Sequence, residues 1–279
     1  MSRTIVGIDG SENSARALAW AVERAERSGD EVVAVLAWSF FDQGYRPAGE
    51  AMQPEFTDVD AQRVLAKAID SSDLAPRVTQ RCIQGPAAEV ITEFADAGDT
   101  IVVGARGLGG FEGLLLGSVS QRILELAPCP VAVIHVDDAT PHRNTIVVGV
   151  DGSDVSMRAL RWAAAEASSL GASVRLVHAW QWPLFAEVAV PEVYDALAKG
   201  ADELLAEVSG DPSLAGLTVE VEAVNGGPAQ SLLANGADAA MIVIADRGRG
   251  PLRRTLLGST SRQVAQHATT PVVVVRGEA

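Results

Sequence analysis

One glycine pattern occurs twice in this chain of 279 residues, and its residue types could bind phosphate. Each copy follows an apolar run and precedes a helix-like stretch. In order, the motif positions are Gly104, Gly107, Gly117 and Ser118 in the first copy, and Ala245, Gly248, Gly258 and Ser259 in the second. A glycine-lined turn between a strand and a helix N-terminus binds anions through backbone amides. The alternative is that the glycines only permit a tight, partly left-handed turn.

The phosphate interpretation has a definite mechanism in each copy. Amides around Gly107 would point inward as an anion nest, and the helix that begins near Ser118 would add its positive dipole end. The hydroxyl groups that could donate hydrogen bonds belong to Ser118, Ser120, Ser259, Thr260 and Ser261. Arg106 and Arg247 add positive charge within the two loops. The loop is not a Walker P-loop, because the chain has no Gly-Lys-Ser/Thr sequence.

The chain is a tandem repeat. Residues 5–11 recur as residues 147–153, at an offset of 142 that becomes 141 after about residue 235. A short polar stretch with a proline, 137–142, separates the copies. We therefore predict two domains, 1–139 and 140–279.

Each copy alternates strand-like and helix-like segments. The strands predicted in the first half lie near 4–9, 31–37, 77–83, 100–104 and 130–135, and the helices near 13–28, 57–71, 86–97 and 118–127. The strands are continuous apolar runs, which are typical of a parallel sheet covered on both faces. The pattern predicts two tandem doubly wound, Rossmann-like α/β domains, each with a five-stranded parallel sheet in the order 3-2-1-4-5.

Ligands of such sheets bind where the strand order reverses, beyond the carboxyl ends of the strands. In the order 3-2-1-4-5 that crevice lies between the first and fourth strands. Asp9 leaves the first strand and the glycine loop leaves the fourth, so we expect them to meet there; Asp151 is the equivalent in the second half. The alternative role for Asp9 and Asp151 is to stabilise the turn into the first helix.

Composition excludes several functional classes. A net charge of −14 repels nucleic-acid backbones and anionic lipid, so we expect no nucleic-acid binding. Two cysteines without Cys/His ligand spacing support neither a disulfide framework nor a zinc site. No signal peptide and no apolar run of about 20 residues is evident, so we predict a cytosolic protein without membrane insertion. His178 aligns with Leu36 and is interpreted as a buried core residue, not a catalytic one.

The chain resembles the universal stress protein family over essentially its whole length, as two fused copies of that family's domain. The resemblance rests on Asp9, on the Gly-x2-Gly-x9-Gly-Ser pattern and on Pro-Val-x-Val at the start of the fifth strand. It implies ATP binding, with adenine near the first two strands and phosphates on the glycine loop. It also implies a role in stress adaptation and dimer formation.

The resemblance carries a set of nucleotide-binding positions over to this chain. Asp9 would hydrogen-bond the nucleoside, Ala37 would contact adenine through its backbone, and the glycine-loop residues would hold ribose and phosphates. The first-half positions are Asp9, Ala37, Gly104, Arg106, Gly107, Gly117, Ser118 and Ser120. Their second-half counterparts are Asp151, Ala179, Ala245, Arg247, Gly248, Gly258, Ser259 and Ser261.

The two copies are not equivalent. Ala245 replaces the first motif glycine, and its methyl group weakens the second site if that position needs positive φ or a close backbone approach. The second loop carries a local charge of +3 from Arg247, Arg249, Arg253 and Arg254 against Asp246, whereas the first is neutral. A steric block acts at contact and exposed charges are screened, so we expect the first site to bind more reliably.

These observations predict an ATP-binding regulator of stress adaptation that is not an enzyme, with ATP bound with or without Mg²⁺. A slow Mg²⁺-dependent ATPase using Asp9 and a nucleotide-independent interaction module remain as alternatives. The expected partners are an adenine nucleotide, a second copy of the chain or the other domain of the same chain, and an unidentified regulatory protein.

Overall fold

Parallel strands joined by helices form both halves of the chain. The computed structural model describes residues 2–38, 57–70, 78–108, 115–135, 143–181, 191–248 and 257–277. The chain divides into two compact units, Met1–Val136 and Asp137–Ala279. The loop residues Arg249, Arg253 and Arg254, which carry most of the predicted charge difference, lie outside the described residues.

The first unit is a five-stranded parallel sheet with helical crossovers. Its strands are β1 (Arg3–Gly7), β2 (Glu31–Trp38), β3 (Val78–Gln84), β4 (Thr100–Gly104) and β5 (Val131–Ile134). Its helices are α1 (Glu12–Ser28), α2 (Asp58–Asp70), α3 (Ala87–Phe94) and α4 (Ser118–Leu126). The strand order is β3-β2-β1-β4-β5, as predicted.

The second unit repeats this architecture. Its strands are β6 (Arg143–Gly149), β7 (Ser173–Trp180), β8 (Val219–Asn225), β9 (Ala239–Ala245) and β10 (Val272–Val275). Its helices are α5 (Asp154–Leu170), α6 (Pro191–Ser209), α7 (Pro228–Gly236) and α8 (Ser259–His267). The order β8-β7-β6-β9-β10 is that of the first unit, so the predicted fold class is confirmed in both halves.

The first helix of each unit is fixed at both ends by its sequence. The Ser11 hydroxyl accepts a hydrogen bond from the Ser14 amide, and Ser153 caps α5 in the same way. Serine at this position satisfies an amide that has no partner within the helix. Gly29 ends α1 with φ +75°, a left-handed conformation that favours glycine. The serine caps place the start of α1 and of α5 directly after the turn that follows β1 or β6.

Strand side chains contribute much of the core in both units. The apolar side chains of β4 and β5 are buried, and so are those of β10. Parallel pairing places Val6 beside Ala34 of β2 and Val102 of β4. The strand order reverses at β1 and, in the second unit, at β6, so the ligand crevice of each sheet lies at the carboxyl end of that strand.

Candidate functional site

Asp9 and the glycine loop meet in the first unit. The Asp9 carboxylate accepts a hydrogen bond from the Ser11 amide at 2.9 Å through Oδ1 and one from the Leu108 amide at 3.0 Å through Oδ2. Ser11 belongs to the turn into α1, whereas Leu108 belongs to the loop after β4. Asp9 therefore has the turn-stabilising role and also lies at the predicted crevice.

Close approach, not backbone strain, explains the motif glycines. None of the motif glycines described has positive φ, so the idea of a left-handed turn is wrong for them. A Cβ on Gly107 would collide with Asp9 Oδ2, and one on Gly248 would lie 2.5 Å from Asp151 Oδ2. An added Cβ would force the carboxylate to move, because the loop backbone lies directly against the aspartate in both units.

The loops are closed by backbone hydrogen bonds to the next helix start. The Gly117 amide donates to the Ala105 carbonyl at 2.7 Å, and the Gly258 amide donates to the Asp246 carbonyl at 2.8 Å. Gly117 and Gly258 occupy the N-cap positions of α4 and α8. The helix dipole therefore points its positive end at the loop, as the sequence pattern predicted.

The two buried serines of these helices already have partners. Ser120 Oγ donates to the Gly104 carbonyl at 2.7 Å, and Ser261 Oγ lies 2.9 Å from the Asp246 carbonyl. Each hydroxyl has one proton to donate, so donation to a phosphate would first require that bond to break. Their structural role is to hold the helix start against the strand end. Ser118 and Ser259 are exposed at the helix starts instead.

A cavity of about 250 Å³ opens at the carboxyl ends of the strands in the second unit. Every second-half residue predicted to bind nucleotide lines it: Asp151, Ala179, Ala245, Arg247, Gly248, Gly258, Ser259 and Ser261. The structure thus brings together residues that are up to 110 positions apart in the sequence. Thr260, which follows Ser259 in α8, lines the cavity as well.

Ala245 fits its position without strain. It is the last residue of β9, where it pairs with Val275, so its backbone is extended. At the equivalent Gly104, a Cβ would lie 2.6 Å from the Cβ of Asn13 on α1. The steric reason for expecting a weaker second site is therefore removed, because that unit accommodates the methyl group in the wall of its cavity.

Asp246 is a cavity residue that the sequence interpretation missed as a site residue. Its side chain is 1% exposed, although it occupies the position of Ala105 in the first unit. The carboxylate lies 3.2 Å from Arg247 Nε and 3.5 Å from Arg276 Nη1, and it accepts the Gly277 amide at 3.2 Å. The two guanidinium groups outnumber the Asp246 carboxylate, but Asp151 on the same cavity wall brings the formal charge of these four groups to zero.

His178 is a second missed residue, and the interpretation of it as a buried core residue is corrected. It is half-buried and lines the cavity, and its Nδ1 lies 2.8 Å from the Val150 carbonyl oxygen. His178 lies near the carboxyl end of β7. The alignment of His178 with Leu36 does not indicate from sequence that the histidine lines a cavity.

In the first unit, a histidine and an arginine lie at the carboxyl ends of the strands. His135 follows β5, and its Nε2 is buried without a hydrogen-bond partner among the described residues. Burial, with the nearby charge of Arg106 as a second cause, lowers the pKa of His135 to about 4. Arg106 itself is exposed on the loop. Ala37 is half-buried near the end of β2 and pairs with Ile83.

Within the described residues, no group of three or more His, Cys, Asp and Glu side chains could hold a metal ion. No helix in the same part of the chain combines the length and apolar character needed to cross a membrane.

The family comparison matches both halves of the chain. The family model described as "Universal stress protein family" matches residues 1–135 and again residues 142–276. The two matches follow the internal repeat, and each contains one complete Asp and glycine-loop site.

Curated relatives align with this chain over nearly its whole length. The chain is 32% identical to universal stress protein Rv2005c of Mycobacterium tuberculosis over 289 aligned residues, covering 98% of this chain and 96% of the relative. It is 29% identical to a universal stress protein of Mycolicibacterium smegmatis, with the same coverage. In fold, it is similar to a universal stress protein from Archaeoglobus fulgidus, with a TM-score of 0.72, 23% identity and coverage of 99% and 96%.

Proposed function

Since the chain belongs to the universal stress protein family, with two copies of the family's domain, we propose that it binds ATP at the carboxyl ends of its strands. The bound nucleotide acts as a regulatory signal in stress adaptation. Each unit supplies one site, built from the aspartate after β1 or β6 and the glycine loop after β4 or β9.

One observation carries this proposal: a single cavity is lined by every second-half residue that the sequence predicted for nucleotide binding. Its two ends differ in chemistry. One end has the glycine-loop backbone, the start of α8 and Arg247, which suits an anion. The other has Val177, Ala179 and Leu232, which suits the faces of a purine ring.

The residues present fit a nucleotide with its phosphates on the loop. Backbone amides near Gly248 and the hydroxyl of Ser259 would hold the phosphate oxygens, and the α8 dipole would favour their charge. Asp151 would hold the ribose hydroxyl groups, because a carboxylate accepts hydrogen bonds from them. Mg²⁺, where present, would bind together with the phosphate groups of the nucleotide and neutralise part of their charge.

We propose binding without turnover. A general base must be available to take a proton from the attacking water. Both oxygens of Asp9 accept backbone amides, and Asp246 is held between Arg247 and Arg276. These contacts already occupy the carboxylate oxygens, so neither group is placed to take a proton from water. A slow ATPase remains the alternative and would show as phosphate release that scales with protein and is lost in Asp9→Ala.

The regulatory role is proposed to act in the cytosol through a second copy of the chain or another protein. A ligand that binds only the folded state stabilises that state by mass action. The nucleotide concentration can therefore change the stability of the protein without any hydrolysis of the nucleotide. Light scattering with and without ATP tests the dimer. Capture of binding proteins from lysate with ATP-loaded and ATP-free bait tests for a partner that responds to nucleotide.

The first experiment is to denature protein purified without added nucleotide and to identify released small molecules by mass spectrometry. We expect ATP, at about one or two molecules per chain. Titration calorimetry with ATP, ADP, AMP and cyclic AMP then compares their affinities for the emptied protein.

Three controls separate the alternatives. The double variant Gly107→Ala/Gly248→Ala should release much less nucleotide than wild type, because both loops are disturbed. Release of as much ATP as from wild type would contradict the assignment of the sites. A wild-type protein that releases nothing and binds none of the four nucleotides would support the interaction-module alternative.

A further inference from the structure

His178 brings a polar group into the otherwise apolar end of the second cavity. Its neighbours there on β7 and α7 are Val177, Ala179 and Leu232. A ligand that leaves a buried or half-buried polar atom of such a wall without a hydrogen bond binds at a cost in free energy. Such an atom therefore fixes the orientation of a ligand more than it adds affinity. The atom that faces a ligand therefore decides which ligand fits.

The hydrogen bond of His178 fixes its tautomer. Nδ1 lies 2.8 Å from the Val150 carbonyl oxygen, and a carbonyl oxygen can only accept. Nδ1 therefore carries the proton, and in the neutral ring Nε2 is left with a lone pair. The described residues provide no hydrogen-bond partner for Nε2. The cavity wall thus offers one hydrogen-bond acceptor at this point.

The first unit lacks this acceptor on an otherwise matching backbone. Leu36, which is 5% exposed, occupies the equivalent position on β2. The backbone around it is the same, because the Ile8 amide donates to Val35 at 2.9 Å just as the Val150 amide donates to Val177 at 3.0 Å. The two sites therefore differ here in side-chain chemistry and not in architecture.

We propose that Nε2 of His178 accepts a hydrogen bond from the exocyclic amino group of a purine in the second site, and so selects 6-amino over 6-oxo purine nucleotides. The inference rests on the proposed nucleotide binding. With the phosphates on the glycine loop, the base lies at the apolar end beside His178. A 6-oxo purine would place an acceptor against the Nε2 lone pair, and both would lose hydrogen bonds to water. The first site, with Leu36, does not make this distinction.

The test compares ATP with ITP, its 6-oxo analogue, by titration calorimetry on the full-length chain. Gly107→Ala weakens the first site so that the second dominates the titration. We expect the second site to prefer ATP by about tenfold or more, and His178→Leu, which installs the residue of the first site, to reduce that ratio to near unity. The matched control is Leu36→His in a Gly248→Ala chain, where the ratio should rise.

A ligand change gives the same test without a variant at His178. Purine riboside triphosphate lacks the 6-amino group, so it should bind the second site more weakly than ATP and the first site equally well. Equal affinities of ATP, ITP and purine riboside triphosphate at the second site would overturn the role of His178 while leaving nucleotide binding intact. Absence of binding by all three in the wild-type chain would instead contradict the proposed function itself.

Discussion

The Asp9 carboxylate reaches from the end of β1 to the loop after β4, where its Oδ2 accepts a hydrogen bond from the Leu108 amide at 3.0 Å. The contact joins the two strands on either side of the point where strand order reverses. It depends on Gly107, since any side chain there would occupy the space of Oδ2. One short-range contact therefore links the aspartate and the glycine of the motif, which are separated by almost 100 residues in sequence.

Gly107→Ala and Gly248→Ala should each weaken one nucleotide site. The added methyl group displaces the carboxylate of Asp9 or Asp151 and pushes the loop amides away from the crevice. We expect affinity at the affected site to fall by about tenfold or more, equivalent to about 1.4 kcal/mol. Titration calorimetry on each variant measures the loss and shows which site is stronger.

Gly98→Ala provides the matched control for these two variants. Gly98 lies in the turn before β4, its φ is not positive, and a Cβ there would meet no atom within 4 Å. The variant should bind nucleotide as wild type does. If Gly107→Ala and Gly98→Ala bound equally well, the close approach of the loop to Asp9 would not matter for binding.

Much of the fold could be predicted because the signals are local and repeated. Continuous apolar runs such as 101–103 mark buried parallel strands, and the offset of about 142 residues requires the same fold twice. The topology rule for doubly wound sheets then places Asp9 beside the glycine loop. That placement needs only the order of the elements, and the structure confirms it.

The finer features of the sites depend on distances that sequence does not encode. Gly104 and Ala245 occupy the same motif position, but only the first lies close enough to a helix to exclude a methyl group. The burial of Asp246 depends on Arg276, which reaches it from the end of the neighbouring strand. His178 lines the cavity near the carboxyl end of β7, and no periodicity in the sequence marks that point.

Asp99→Asn should destabilise the first unit at neutral pH. Asp99 is 4% exposed, and its Oδ2 lies 2.6 Å from Arg3 Nη2. Burial alone raises the pKa of the Asp99 carboxyl, but hydrogen bonds from Arg3 and from the Asp96 amide more than offset this and hold it below its usual value. The substitution loses charge-assisted hydrogen bonds from Arg3, which is partly exposed and keeps its contact with Asp96, so we expect a cost of about 1.5 kcal/mol.

The free energy of unfolding lost in Asp99→Asn should become smaller as the pH falls. A depressed carboxyl pKa in the folded state gives stability that is present above the unfolded value, near 3.8, and is lost as pH falls through the folded value. Urea unfolding of wild type and Asp99→Asn should therefore differ at pH 7 and converge below about pH 4. A difference that stayed constant down to pH 3 would contradict the role of the ionised carboxylate.

Gly200→Ala should stabilise the second unit. Gly200 is exposed in the middle of α6, and a Cβ there would meet no atom within 4 Å. Glycine in a helix interior is less favourable than alanine by about 1 kcal/mol, because it loses more backbone freedom on folding. Urea unfolding should show a higher midpoint with an unchanged slope. A lower midpoint would mean that the helix requires glycine for a reason outside the described contacts.

His135 should be neutral at physiological pH and should make the first unit sensitive to acid. Burial and the charge of Arg106 lower the pKa of His135 to about 4. Because the unfolded histidine titrates near 6.5, the unfolded chain binds more protons between pH 6.5 and 4. Stability is therefore complete above about pH 6.5 and falls by about 3 kcal/mol as pH drops through this window.

NMR of the His135 imidazole, compared between wild type and Arg106→Ala, measures this directly. Removing the guanidinium takes away the second cause of the shift, so the pKa of His135 should rise in the variant but stay below its usual value, because burial remains. Urea unfolding of His135→Gln should lose the slope between pH 4 and 6.5 that wild type shows. An imidazole that titrates near 6.5 in wild type would mean that the ring is solvated, and that the strand ends of the first unit are open to water.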